Sequence, residues 1–141
     1  MPSIHEEIVL DYPKESVFKQ ISSIDFMLAI DPNFGRSTVV LFHDDRLMRT
    51  RSTIEKIGDV EIERITIPET YTIVTQRRQP MAPFIYQISI QILLDHDKGT
   101  LLKWNDEFEL DVDNKHKEEA ILGILRRNDV ANLQNIQRLM K

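Results

Sequence analysis

The sequence predicts an α+β fold in which a seven-stranded antiparallel sheet curves around one long C-terminal helix. Three observations predict it. Between residues 36 and 110 the chain passes through six stretches rich in β-branched residues, separated only by short turn-forming sequences. From about His116 to Met140 apolar residues recur at helical spacing. Ahead of both, "SIHEEIVLDY" alternates like a strand and is followed by two short helical stretches.

In the first strand Ile4, Glu6, Ile8 and Leu10 are in phase. "PKESVFKQIS" begins on Pro13, which a first helical turn tolerates because its missing N–H has no partner there anyway, and Val17 and Ile21 fall on one face. "SIDFMLAID" reads as a second short helix with Asp25 as its N-cap. The six later strands are "RSTVVLFH", "RLMRTRSTIEKI", "VEIERITI", "TYTIVTQRR", "FIYQISIQILL" and "TLLKWNDEFEL". Between them stand "DD", "GD", "PE", "QPMAP" and "DHDKG", connections too short for anything but an antiparallel meander. On the last helix Ile121, Ile124, Leu125, Ile136 and Leu139 form a stripe, with Leu122, Leu133 and Met140 on its flank and Arg127, Gln134, Arg138 and Lys141 opposite.

The chain has 141 residues, enough for one domain over residues 1–141 with its own core. With 41% apolar and 29% charged residues it reads as globular. A net charge of −5 argues against a broad phosphate-binding face, so no nucleic-acid partner is expected. There is no cysteine, which excludes disulfides and thiolate chemistry. No signal peptide and no apolar run of membrane-spanning length is visible, so a cytoplasmic protein without a membrane partner is expected. His5, His43, His96 and His116 show no metal-ligand spacing; no metal and no cofactor is expected. Glycine-rich phosphate loops and nucleophile elbows are absent.

A seven-stranded sheet must cover one face, and only the last helix is long enough to do so. A curved sheet around one rod leaves space the rod cannot fill, and the two small helices can close one end of it. The expected shape is therefore a helix-grip with an internal cavity. "TLLKWNDEFELD" places Leu102, Trp104, Asp106, Phe108 and Leu110 on the inward phase, which leaves Trp104 as either core or pocket wall.

The order of elements resembles the START-like, Bet v 1-like (SRPBCC) superfamily. "APFIYQ", "GTLLKWNDEFEL" and "RRN" resemble, more closely, the polyketide aromatase/cyclases of the tetracenomycin type; Gly99, Thr100, Trp104, Glu107, Phe108, Arg127 and Asn128 match in type and spacing. The resemblance implies a cavity that receives a linear poly-β-ketone from an acyl carrier protein of a type II polyketide synthase, folds it, and promotes aldol closure and dehydration to an aromatic polyketide intermediate. It places the leading catalytic arginine on Arg64 and a second pocket arginine on Arg78, with Arg77 as the alternative. The family's pocket tyrosine falls on Phe34 and a nearby tryptophan on Met27, two departures that imply a differently shaped mouth.

A guanidinium at Arg64 suits this chemistry because enolate and alkoxide charge develops on oxygen and arginine stays cationic with five donors. The alternative is a register slip that leaves Arg64 facing solvent. Asp106 can act as a base or hold an arginine; a salt bridge at the cavity mouth is the plainer reading. Asn128, Asn132 and Asn135 project onto the apolar stripe of the last helix, to bind substrate carbonyls or to cap backbone. Met48, Thr50, Ile62 and Ile90 complete the expected substrate contacts, with Ser52 a weaker candidate beside Thr50. Arg77 and Arg78, ahead of "QPMAP", are expected to give a basic rim for the carrier protein. Two other functions fit the same shape: a non-catalytic carrier or sensor of an apolar small molecule, whose cavity would hold no buried arginine, and a stabilising subunit whose cavity is filled by Met27, Met48 and Phe34.

Overall fold

A computed structural model describes residues 2–30, 38–54, 58–78 and 83–140. The expected order is found: β1 (Ser3–Leu10), α1 (Lys14–Ile21), α2 (Ile24–Ile30), β2 (Thr38–His43), β3 (Leu47–Ile54), β4 (Gly58–Ile67), β5 (Thr72–Arg77), β6 (Phe84–His96), β7 (Gly99–Leu110) and α3 (Glu118–Leu139). The strands form one seven-stranded sheet in the order β1-β7-β6-β5-β4-β3-β2, antiparallel throughout. This is the helix-grip α+β architecture.

Two helix starts differ from expectation. α2 is capped by Ser23, whose Oγ accepts from the Phe26 N–H at 3.2 Å; Asp25 lies one residue inside the helix, in the first turn, where its charge suits the helix dipole. α3 begins at Glu118, after a 3-10 segment, Val112–Lys117, that Asp111 caps through the Asn114 N–H. Its 22 residues make a rod of about 33 Å.

α3 packs chiefly on β1 and the end of α2, and α1 on β6 and β7. The main core lies at that end: Leu10, Leu93 and Leu102 from the sheet, Val17 and Ile21 from α1, and Leu133, Ile136 and Met140 from α3. α3 is turned slightly from the stripe that periodicity suggests. Its buried positions are Asp129, Leu133 and Ile136, while Ile124 is 49% exposed. At the other end of β7, Phe108 is fully buried and meets Phe84 edge-on, ring centres 5.8 Å apart.

The β6–β7 turn is pinned beneath the end of β1. Gly99 has φ 136°, and a Cβ there would stand 2.4 Å from the Leu10 carbonyl oxygen and 2.7 Å from the Tyr12 nitrogen. Thr100, fully buried, donates through Oγ1 to the Tyr12 carbonyl at 2.7 Å. The Gly-Thr pair thus locks the longest hairpin to the strand that enters α1. Gly99→Ala is expected to cost roughly 1–3 kcal/mol from the forced contact, before any backbone strain is added. Urea unfolding measures it; a midpoint within error of the parent would show that the turn can move aside.

Candidate functional site

Between the sheet and α3 lies a cavity of about 310 Å³. Its walls come from α1, α2, the middle of β3 to β7, and α3. The inner face of β7 passes from core at Leu102, along cavity wall at Trp104 and Asp106, to core again at Phe108. Met27 lines the cavity without filling it.

Strand register arranges the charged groups. Arg64 on β4 pairs with Thr75 on β5, Thr75 with Ser89 on β6, and Ser89 with Asp106 on β7. These four residues form one polar row across the inner face, and all line the cavity. Three strand spacings separate its ends by about 14 Å. A cation therefore stands at one end of the row and a carboxyl at the other.

Arg64 is 6% exposed. Its Nη2 donates to the Ile21 carbonyl and its Nη1 to the Ser22 carbonyl, at 3.5 Å. These are carbonyls at the end of α1, where intrahelical donors run out and the helix dipole is negative. Two of five N–H groups are used. Burial lowers the guanidinium pKa to about 10, which leaves it cationic at neutral pH. Among the described residues Arg64 has no carboxylate partner.

At the other end, Asp106 makes no salt bridge among the described residues, against the plainer reading of the sequence. It meets a second acid, Asp129 of α3. The two are 4% and 5% exposed, and both line the cavity. Among the described residues Asp129 Oδ2 has no hydrogen-bond donor, and Trp104 Nε1, in the same wall, has no acceptor. Burial first, then the facing Asp106 carboxyl, then Glu6 push the Asp129 pKa far above the ordinary carboxylate range. Asp129 was not anticipated from sequence. The signal was there: Leu125, Asp129 and Ile136 share a helix face, and an acid stands in the middle of it.

The remaining expected contacts fall as follows. Thr50, Ile62, Asn128 and Asn132 line the cavity; Asn128 is also exposed, so the cavity reaches solvent there. Asn135 instead donates to the Ile30 carbonyl at 2.8 Å, tying α3 to α2. Arg77, not Arg78, faces the cavity, because the inward phase of β5 is Ile73, Thr75, Arg77. Arg77 Nε donates to Gln87 Oε1 at 3.0 Å and its guanidinium lies over the Phe84 ring; burial lowers its pKa. Arg78 faces outward and pairs with Glu61 at 3.3 Å.

Ile90 lies on the opposite face of the sheet. Strict alternation from Phe84 makes it inward, but a bulge between Phe84 and Tyr86 switches the phase, so Gln87, Ser89 and Gln91 face the cavity. Met48 and Phe108 are buried in packing beside the cavity rather than in its wall, Met48 next to Arg64 on the neighbouring strand. Ser52 is fully buried and bonded to Thr38, Oγ to Oγ1, at 2.7 Å. Phe34 and residues 79–82 of the "QPMAP" loop lie outside the described residues. Among the described residues no cluster of three His, Asp or Glu side chains is placed to hold a metal ion, and no helix is long and apolar enough to cross a membrane.

No protein-family model and no curated protein matches the sequence. Solved structures do match. The ZhuI aromatase/cyclase of a Streptomyces superposes with a TM-score of 0.78 over 96% of this chain and 91% of its own, at 14% identity. Norcoclaurine synthase from Thalictrum flavum gives 0.76 over 99% and 86%, also at 14%. A Thermus thermophilus protein gives 0.75 over 97% and 95%, at 15%. The chain has the Bet v 1-like fold. At such identities the likeness shows the fold alone.

The carboxyl pair has a consequence for stability. Because the native Asp129 pKa lies above its unfolded value of about 3.9, the folded protein keeps a proton that the unfolded chain releases. Stability is undiminished below that value and falls as pH rises toward the native pKa. Asp129→Asn removes this loss, so its melting temperature should exceed the parent's by several degrees at pH 7 to 9 and converge with it near pH 4. Thermal melts across that range check it; parallel curves would show that Asp129 ionises normally.

Proposed function

We propose that the chain is a polyketide aromatase/cyclase. A linear poly-β-ketone, carried to it on an acyl carrier protein, enters the cavity, undergoes intramolecular aldol condensation, and loses water to form an aromatic ring. The observation that carries this reading is Arg64: a buried, cationic donor with three N–H groups not committed to α1, at one end of a polar row that continues through Thr75 and Ser89. A chain of alternating ketones offers an oxygen at every second carbon, and such a row can hold several at once. Enolate and alkoxide oxygens formed near Arg64 gain a charge-assisted hydrogen bond in a water-poor site. The likeness of fold to ZhuI, an aromatase/cyclase, supports the same reading.

Trp104 supplies a flat wall on which a forming ring can stack. Arg77, anchored by Gln87, offers a second cation in the wall. The acyl carrier protein, expected to be acidic, would meet the end of β5, where Arg78 faces outward beside Glu61 while Arg77 turns into the cavity wall.

A second reading, a non-catalytic carrier of an apolar molecule, expects no buried arginine and survives that of Arg64 on one observation. Arg64 caps α1, a structural task that requires no chemistry. The two readings part on one experiment. In the first, purified protein added to a minimal polyketide synthase redirects the product to one cyclised species, and Arg64→Ala lowers that yield by about 100-fold, as loss of one well-placed oxyanion donor does. In the second, the parent changes no product, while a polyphenol still alters Trp104 fluorescence. Unchanged cyclisation by a folded Arg64→Ala variant removes Arg64 from the mechanism.

A further inference from the structure

We propose that Asp106 and Asp129 form one carboxylic acid–carboxylate pair that carries out the proton transfers of the cavity, acting on a carbon flanked by two ketones. The proposal deepens the ring-closing reading above and rests on it.

The placement is specific. Asp106 comes from β7 and Asp129 from α3, and both are almost wholly removed from water at the cavity wall. An apolar or amide side chain at position 129 would fit the buried stripe of α3 at lower cost, since a buried acid needs a partner and this one faces another acid. No arginine or lysine forms a salt bridge with either among the described residues. The groups facing the pair are few. Glu6 on β1 is the next acid, and it is paired with Arg126 at 3.7 Å. Arg64 is three strands away and Arg77 is held at Gln87 and Phe84. Asp129 Oδ2 and Trp104 Nε1, an acceptor and a donor, are left without protein partners in one wall. A ligand with acidic C–H groups and ketone oxygens supplies both complements.

Two carboxylates in contact cannot both ionise in such a place, so one proton stays with the pair. One member is then a base and the other an acid at neutral pH. In the aldol step the ionised Asp106 takes a proton from the methylene carbon. The electron pair released forms the new C–C bond to a distant ketone carbon, and the oxygen of that ketone takes the proton of Asp129. The pair still holds one proton, now on Asp106. In the elimination Asp129, now ionised, removes the second proton of the same carbon. The C–O bond breaks, and the hydroxyl leaves as water with the proton of Asp106. The pair returns to its starting state, and one water is lost per ring.

Two measurements test this on the intact protein. In carbon NMR of aspartate carboxyls, the pair should titrate in two separated steps, and Asp129→Asn should abolish the alkaline one. Two carboxyls titrating together in the acid range overturn the proposal. The second measurement uses a synthetic linear tetraketone with methyl ends, which closes to a methylated dihydroxyacetophenone with loss of water. The parent should accelerate closure. Asp106→Asn and Asp129→Asn should each fall by about 100-fold in rate, while product affinity, read from Trp104 fluorescence, stays within about threefold. Asparagine keeps shape and hydrogen bonding but cannot exchange the proton, so a structural role is rescued and a catalytic one is not. A fast parent with equally fast asparagine variants overturns the pair alone. A parent no faster than buffer overturns the ring-closing reading, and the acid–base role with it.

Discussion

The buried guanidinium of Arg64 is the interaction on which the architecture of the cavity depends. The helices pack mainly on β1, β6 and β7, and the strands on the far side of the sheet, β2 to β4, meet them less. Arg64 reaches from β4 to the last carbonyls of α1 and joins the two sides. Few other residue types could do this. The bridge needs length, several donors and a charge that survives burial. Carbonyls at a helix end offer a negative dipole without a negative charge, so they hold the cation without neutralising it. A carboxylate in their place would have paired with Arg64 and left little field for anything in the cavity.

Most of the fold was legible in the sequence because it follows from alternation and punctuation. Seven strand-like runs with short turns leave little choice but a meander, and one long amphipathic helix leaves one way to cover it. What was misread depends on local events that break the period. Ile90 was assigned inward because the bulge at the start of β6 cannot be seen in "FIYQISIQ", and one extra residue exchanges the two faces. Arg77 and Arg78 could not be told apart for the same reason: one residue decides which faces the cavity.

Asp129 was missed for a different reason. Reading a helix by its apolar positions treats polar ones as solvent-facing, and Asp129 follows Arg126, Arg127 and Asn128 in an evidently polar stretch. The burial of Leu133 and Ile136 against the core holds α3 with Asp129 turned inward. Asp106 could be placed on the inward face from strand phase and Asp129 on the Leu125–Ile136 face from helical spacing, but not the contact between them. A sequence shows which residues share a face of one element; it does not show which faces of two elements meet. The carboxyl pair is a property of the meeting of β7 and α3.

The wall therefore holds groups of opposite charge that never meet. Arg64 and the acid pair stand at the ends of one cross-sheet row, and an ion pair between them would relieve the burial cost of both. Thr75 and Ser89 intervene, and each is too short to relay a direct contact across roughly 14 Å. Strand register fixes this separation, because every residue of the row sits on its own hydrogen-bonded strand and cannot slide without moving the whole face. A simple container would gain stability from apolar replacements at Asp106 and Asp129, since burying ionisable groups without partners opposes folding. A site that must meet negative charge on oxygen at one place and move protons at another has a use for both ends, and for the distance that keeps them from cancelling.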